Sequence, residues 1–251
     1  MKFRFRAFAL HALGSACVLS LVFGALYLGW YRWPGWYITG AVHVSAILAG
    51  VDVTLGPLVT LLIANPKKPR RALARDIAVI VVFQLAAMTY GVATLWNGRP
   101  LYYAFSAVEL EMVPAAEVPA NEIALAWQQN PDLAPHWYSG PCWVFVPLPP
   151  SEADRKRIAE SAAADGPDVT RMPQYFRPWS QAGETLRSQL KRVDQFSIFT
   201  RQEKQLLKQR MAQQGFAPDQ PVTLFLVGRD RPVLAVFDRT TLNLRAIIRG
   251  N

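Results

Sequence analysis

The 251-residue sequence predicts a membrane α-helical fold with three transmembrane helices, followed by an α+β extracytoplasmic domain that ends in antiparallel hairpins. Three observations predict it. Apolar runs over residues 7–30, 38–64 and 77–96 are each long enough to cross a ~30 Å hydrocarbon core at ~1.5 Å rise per residue. Lys and Arg gather in the segments between those runs. From Arg99 onward the chain is mixed in polarity and alternates short apolar runs with turn residues. The expected domains are a transmembrane module over 1–98 and a second unit over 99–251.

The first run, Ala7 to Trp30, follows Lys2, Arg4 and Arg6, as a signal peptide's apolar core follows its basic start. It continues past signal length and ends without a small-x-small cleavage pattern, so an uncleaved anchor is expected. Gly14-Ser15-Ala16-Cys17 does not make a lipoprotein signal, because Leu13 sits one place too early and apolar sequence continues beyond the cysteine. The connection Trp30-Tyr31-Arg32-Trp33-Pro34-Gly35-Trp36-Tyr37 is dense in rings that settle at the headgroup boundary, and Pro34-Gly35 supplies its turn. The second run, Ile38 to Ala64, stops at Asn65-Pro66 and the Lys67-Lys68-Pro69-Arg70-Arg71 cluster. The third, Ile77 to Trp96, ends at Asn97-Gly98-Arg99-Pro100.

The formal charge of +9 would suggest nucleic acid if it lay on one soluble face, but much of it flanks the spans. Three Lys or Arg precede the first span, one (Arg32) lies in the first connection, five (Lys67, Lys68, Arg70, Arg71, Arg75) in the second, and Arg99 follows the third. The basic side is the cytoplasmic side. The amino terminus is therefore expected inside, with residues from Arg99 onward in the periplasm of a Gram-negative cell. Of the two cysteines, Cys17 lies in a span and Cys142 in the second half, so no structural disulfide is expected. The cysteines and histidines lack metal spacing, and no zinc site is expected.

Within the three runs the only Lys, Arg, His, Asp or Glu residues are His11, His43 and Asp52. A carboxylate at mid-span costs ~2.5–3.5 kcal/mol, so something must offset Asp52. At helical spacing Ala41, Ser45, Ala49, Asp52, Gly56 and Thr60 share one small and polar stripe. Small residues let helices approach and Ser, Thr and Asp offer hydrogen bonds, so the stripe reads either as internal packing or as a partner-binding or ion-linked face. Gln84 on the third span is the candidate partner of Asp52. Pro57 removes a backbone donor and is expected to kink the helix beside it. His43 falls on the opposite side.

In the second half, Leu101 to Val113 reads as one strand with Glu109 and Glu111 alternating against apolar neighbours. Pro119 to Asn130 reads as a helix, Pro131 to Gly140 as turns, and Cys142-Trp143-Val144-Phe145-Val146 as a buried strand. Ser151 opens a helix closed by Gly166-Pro167, and two more are expected over Trp179 to Val193 and Arg201 to Gln214, the latter stopped by Gly215. Val222 to Val227, Pro232 to Phe237 and Leu242 to Ile248 are apolar runs parted by Gly228-Arg229-Asp230 and Asp238-Arg239-Thr240, which gives two consecutive hairpins.

Chemistry is sparse. His136 stands near Asp132, Ser139 and Cys142, but the local sequence lacks the strand-turn-helix pattern that positions a nucleophile. No Walker loop, dinucleotide fingerprint or HExxH is present, so neither an enzyme nor a cofactor is expected. Arg187, Lys191, Arg192, Arg201, Lys204, Lys208 and Arg210 form a cationic stretch that reads as a solvated face or as a contact with anionic headgroups. Trp127, Trp137, Tyr138, Trp143, Tyr175, Phe176 and Trp179 are expected mostly in the core.

One stretch of the second span is more specific than the rest. It is Gly50-Val51-Asp52-Val53-Thr54-Leu55-Gly56-Pro57-Leu58-Val59-Thr60-Leu61-Leu62, followed by Asn65-Pro66-Lys67-Lys68. Together with Asp76-Ile77-Ala78-Val79-Ile80, Gln84-Leu85-Ala86-Ala87, Tyr90-Gly91 and Arg99-Pro100, it resembles the membrane half of the TfpX/TfpZ type IV pilin accessory proteins. Met172-Pro173-Gln174-Tyr175-Phe176 with Pro178 extends the resemblance more thinly. The resemblance implies a multi-pass inner-membrane, chaperone-like factor for pilin stability or pilus assembly, with no catalytic activity. Its partners would be the major pilin and other assembly components, with lipid around the spans and no nucleic acid. Ser45, Ala49, Asp52, Gly56, Pro57, Thr60 and Gln84 are the candidate partner-binding or helix-packing residues. The alternative is a membrane sensor or an ion- or proton-linked transport component that uses Asp52.

Overall fold

The computed structural model describes residues 1–106, 109–136, 138, 140–217, 219–227, 233–238 and 240–249. It divides into two compact units, Met1–Arg99 and Pro100–Asn251.

In the first unit, three helical stretches among the described residues are long and apolar enough to cross a bilayer: Lys2–Gly29, Ala41–Ile63 and Arg70–Gly98. Helix α1 (Lys2–Gly29) and helix α5 (Arg70–Gly98) both start earlier than the apolar runs, because Lys and Arg are good helix formers and nothing interrupts the backbone ladder. Pro69, with no N–H and an extended ψ, sets the start of α5. The second span starts later than the apolar run suggests. Gly35–Ile38 forms a separate turn, α2, and Gly40 then sits at φ 73°, where a Cβ would be strained, before α3 (Ala41–Ala49) begins. A π-helical turn over Gly50–Leu55 leads into α4 (Gly56–Ile63), and the Asn65 carboxamide oxygen accepts the Lys67 N–H to end the span.

The aromatic connection is built into the bundle. Tyr31 is buried and its hydroxyl donates to the Leu95 carbonyl at 2.6 Å, while Trp30 meets Trp96 edge to face and Arg99 lies over the Trp96 ring. Leu26, Tyr31, Ala41 and Leu95 form the buried apolar cluster at that end. At the other end the basic start of α1 and the basic α4–α5 connection lie together, where Lys68 pairs with Asp76 at 2.8 Å. Leu10, Leu21, Ile47, Leu62, Phe83 and Tyr90 are exposed, the outward apolar shell that a bilayer accommodates.

The second unit is a mixed sheet with helices, in the strand order β4-β3-β1-β2-β5-β6-β7. The expected single strand over Leu101 to Val113 is instead two antiparallel strands, β1 (Pro100–Ser106) and β2 (Leu110–Pro114). The period-two pattern runs on through Glu109 and Glu111, so it carries no sign of the reversal. The Ser106 N–H donates to the Glu109 carbonyl at 2.9 Å and closes it. Helix α6 (Ala120–Gln129) returns the chain to β3 (Cys142–Val146), which pairs parallel to β1. Helix α7 (Glu152–Ala163) is capped by Ser151, and the short β4 (Arg177–Pro178) pairs with β3. The helix expected over Trp179 to Val193 is broken. A 3-10 turn precedes α8 (Gly183–Gln189), and Lys191 then exchanges two backbone hydrogen bonds with Val222.

Helix α9 (Arg201–Gln213) ends before Gly215, which sits at φ 80°. Strands β5 (Val222–Val227), β6 (Val233–Phe237) and β7 (Leu244–Ile248) follow as two antiparallel pairings, and β5 also runs parallel to β2. Gly228-Arg229-Asp230, Pro232 and Arg239 lie outside the described residues. The Asp238 carboxylate accepts the Thr240 and Thr241 N–H groups beside the second turn, each at 2.9 Å.

Two apolar clusters hold the helices to the sheet. Leu207 and Met211 of α9, with Val193 and Phe196, cover Val222, Leu234, Val236, Ala246 and Ile248. Val118, Ile123 and Phe176 pack on Tyr102, Ala104, Val113, Val144 and Val146. Alternate residues of β1, β3 and β6 join Trp179 of the 3-10 turn in a separate aromatic network, Tyr103–Trp143–Trp179–Phe237, with neighbouring centroids at 4.7, 5.2 and 6.0 Å.

Thr200 and Glu203 form a reciprocal capping box at the start of α9. Thr200→Ala leaves the Glu203 N–H without its side-chain acceptor and is expected to destabilise the second unit by ~1 kcal/mol in denaturant unfolding. An unchanged midpoint would mean that α9 is held by its apolar contacts alone.

Candidate functional site

The second span must cross the bilayer with a proline in its middle, and its geometry follows from that. The Gly56 N–H donates to the Val51 carbonyl, five residues back, so the ladder has widened from the α to the π register. The next donor in that register would be the N–H of residue 57, aimed at the Asp52 carbonyl. Pro57 has none. A backbone carbonyl left bare in hydrocarbon costs several kcal/mol, so the gap must be filled from elsewhere.

Gln84 fills it. Its Nε2 donates to the Asp52 carbonyl oxygen at 3.0 Å from the neighbouring helix α5. With Nε2 committed there, Oε1 is the acceptor for His11 Nε2–H at 2.8 Å, and His11 Nδ1 shares a 2.7 Å hydrogen bond with the Thr60 hydroxyl. The result is one chain, Thr60–His11–Gln84–Asp52 carbonyl, that ties α1, the second span and α5 together. Gly56 makes room for it, since a Cβ there would overlap the Gln84 carboxamide. About two turns away, a Cβ on Gly91 would come within 2.6 Å of the Leu48 side chain, so the second span and α5 meet closely there too.

The Asp52 carboxyl lies beside this chain, close to Gln84 and His11. It is 1% exposed, and neither carboxyl oxygen has a hydrogen-bond partner, although Gln84 and His11 are its nearest polar neighbours. The buried Ser45 hydroxyl also lacks a partner. Each such group costs ~1–3 kcal/mol.

Among the residues singled out from sequence, Ser45, Asp52, Gly56, Pro57, Thr60 and Gln84 are all buried. Ala49 is only half-buried, because the π turn shifts the stripe by a residue and Leu48 takes the place over Gly91. The stripe therefore faces α1 and α5. Gln84 meets residue 52 as the sequence suggested, with its carboxamide donating to the Asp52 backbone carbonyl. His43 is exposed. Sequence reasoning missed His11 as a site residue. Its signal was depth, since His11 and Thr60 lie similarly far from the basic ends of two antiparallel spans.

In the second unit the polar groups are tied to one another. Glu122, 2% exposed, accepts from Arg157 at 2.7 Å and from Gln174 at 2.6 Å. The Tyr175 hydroxyl, then Glu122, hold the Arg157 guanidinium above its ordinary range. Burial alone would depress Arg171, but the carboxylates of Glu111 and Glu117 raise it. Burial, with Glu111 and Asp168 nearby, pushes the Glu109 carboxyl up.

The cationic stretch is partly consumed within the domain. Lys208 pairs with Asp194 at 2.7 Å and holds that carboxyl below its usual range, Lys204 donates to the Asp194 carbonyl, and Arg187 to that of Thr240. His136 lies against Trp127 and stacks on Tyr138 at 4.9 Å, and the Cys142 thiol donates to the Gly140 carbonyl. Trp137 and Ser139 lie outside the described residues. Trp127 and Tyr138 are exposed, while Phe176 is core.

No family model matches the chain, and no solved structure matches it. It is similar to the fimbrial assembly protein, serogroup I, of Dichelobacter nodosus, with 25% identity over 189 residues, covering 74% of this chain and 71% of that protein. The serogroup E1 protein of the same organism is 25% identical over 203 residues, 79% of this chain and 76% of its own length. The protein of serogroups C1 and C2 is 28% identical over 117 residues, 47% of this chain and 89% of its own.

The fit of Gly56 against Gln84 is open to a direct check. Gly56→Ala forces the carboxamide off the Asp52 carbonyl and is expected to lower thermal stability in detergent by ~2 kcal/mol or more, as overpacking does. Adding Gln84→Ala clears the overlap, so the double variant should lose less than the sum of the two single changes. Additive losses would mean that the two residues do not share that space.

Proposed function

We propose that the protein is a non-enzymatic fimbrial assembly factor of the bacterial inner membrane, of the TfpX/TfpZ kind, that holds a type IV pilin before it enters the fibre. The observation that carries this reading is the similarity to fimbrial assembly proteins over about three-quarters of the chain, across both the apolar helices and the sheet domain. Three bilayer-length helices and a separately cored unit suit such a task. The helices meet the apolar segment of a membrane-held subunit, and the periplasmic domain meets its head. Two weak contacts on one tethered partner reinforce each other through effective concentration. Other pilus assembly components are further partners on this reading.

The charge placement supports an inside amino terminus, with Pro100 onward outside. Alkaline phosphatase fused after Asn251 is expected to be active in cells, and a fusion after Lys68 inactive. The reverse pattern would sink the periplasmic assignment.

A second reading has one specific observation behind it. The unpaired Asp52 carboxyl in the bundle interior fits a sensor or an ion- or proton-linked transport component. Asp52→Asn keeps the side chain's size and removes its charge. On the assembly reading surface fimbriae fall severalfold, while the variant protein is at least as abundant as the parent. Normal fimbriation with a changed response to the proton gradient would favour the second reading. A fall in the variant's own abundance would make Asp52 a packing residue.

A further inference from the structure

We propose that Trp127, His136 and Tyr138 form a membrane-docking patch, whose rings enter the headgroup layer beside the end of α5 and hold the sheet domain to the bilayer surface. The inference stands apart from the assembly reading and asks only that α5 spans the membrane.

The three rings meet one another at the surface of the second unit. His136 lies edge to face with Trp127 at 4.3 Å and stacks on Tyr138 at 4.9 Å, while Trp127 and Tyr138 are 42% and 60% exposed. Helix α6 packs Glu122, Ile123 and Ala126 inward, which leaves Trp127 on its outer side. Trp and Tyr each have an apolar body and a polar tip, so they settle where hydrocarbon gives way to water.

The chain brings this patch close to the bilayer at any angle of the domain. Helix α5 ends at Gly98, Arg99 is extended, and β1 begins at Pro100, so no linker parts the spanning helix from the sheet. Arg99 over the Trp96 ring marks that end of α5 as headgroup depth. Tyr102 follows within ~10 Å of extended chain. Both ends of the segment that carries His136 and Tyr138 are fixed to Tyr102. Its hydroxyl donates to the Leu133 carbonyl at 2.7 Å, and Cys142 pairs with it in register on β3. Leu148, which is exposed as well, follows the opposite end of β3.

The surface around the rings carries little charge. Residues 118–141 hold no Lys or Arg. Of their two carboxylates, Glu122 is buried against Arg157 and Gln174, and Asp132 is exposed. A partner steered by charge finds little to match there, and an anionic leaflet has no cation to hold. What remains is the affinity of the rings for the interface itself, which an uncharged headgroup layer satisfies. Such contacts are weak singly, but α5 tethers the patch to the membrane, and the effective concentration makes a weak contact persist. With that side of the domain against lipid, a partner meets the sides turned away from the bilayer.

Spin-label accessibility in the full-length protein reads the contact. The protein carries Cys17→Ser and Cys142→Ser, the latter keeping a donor for the Gly140 carbonyl, and sits one copy per disc in phosphatidylcholine nanodiscs. A nitroxide on Gln128→Cys, exposed next to Trp127, is compared with one on Leu148→Cys. The label at residue 128 is expected to favour oxygen over a polar nickel relaxant several-fold more than the label at residue 148 does. Adding Trp127→Ser and Tyr138→Ser should bring it back to the value at residue 148. The first comparison leaves all three rings in place, so it decides even where the double variant does not accumulate. A ratio at residue 128 no higher than at residue 148 overturns the docking and leaves the assembly reading intact. A label shielded from both relaxants overturns it as well, since that is a protein contact. So does immersion that appears only with anionic lipid and fades with salt, which is a contact made by Lys and Arg. Immersion that survives the loss of both rings also counts against the patch, because the tether alone then suffices.

Discussion

Pro57 has no N–H to give, and in hydrocarbon there is no water to take its place. That single missing donor organises the membrane unit. The helix widens so that Gly56 reaches back to Val51, the Asp52 carbonyl is left without a backbone partner, and Gln84 crosses from α5 to supply one. Once Gln84 is committed, its other end needs a donor, which His11 provides from α1, and the second imidazole nitrogen meets Thr60. Three helices that lipid alone would not drive together thus share one hydrogen-bonded chain. Gly56 is glycine because the carboxamide of that chain occupies the space of its Cβ.

The second unit solves the same problem of polar groups by different means. Its backbone groups pair along seven described strands, and its buried carboxylate, Glu122, is matched by a guanidinium and a carboxamide. Here the charges of Glu122, Arg157 and Arg171 are offset by their partners, and the domain gains a fixed framework around the two guanidinium groups. In the membrane unit the chain is satisfied while Asp52 and Ser45 beside it are not. The contrast is informative because each unmet group is dearer in hydrocarbon than at a wet surface.

Much of this organisation is legible in the sequence. Span lengths, the basic connections, the small stripe of the second span, the caps at Ser151 and Thr200 and the final β runs all rest on local signals of period, charge or turn chemistry. What was not legible depends on distant partners. Nothing near Ser106 marks the reversal between β1 and β2, because the period-two pattern continues through it. Lys191 reads as helix until the backbone of Val222 captures it. The π turn shifts the stripe by one residue, so Leu48 rather than Ala49 meets Gly91. The role of Gln84 as a stand-in for a backbone donor follows only once the widened register is known, and His11 enters only through Gln84.

Packing alone does not account for an aspartate at residue 52. A chain that needed only a bridge between α5 and the second span would be served by any residue there, since the Gln84 carboxamide donates to the backbone carbonyl of residue 52. An asparagine or an alanine would keep that bond and shed the cost of burying a carboxyl with both oxygens unmet. The position therefore carries an energetic penalty that the resting bundle does not use. An ionisable residue at that depth points to function by default, and the segment that carries this one is bounded by a left-handed glycine at one end and a proline at the other. On the assembly reading, Asp52 and Ser45 are the groups of the second span that a partner would engage. Thr60, His11, Gln84 and Gly56 hold that span against α1 and α5.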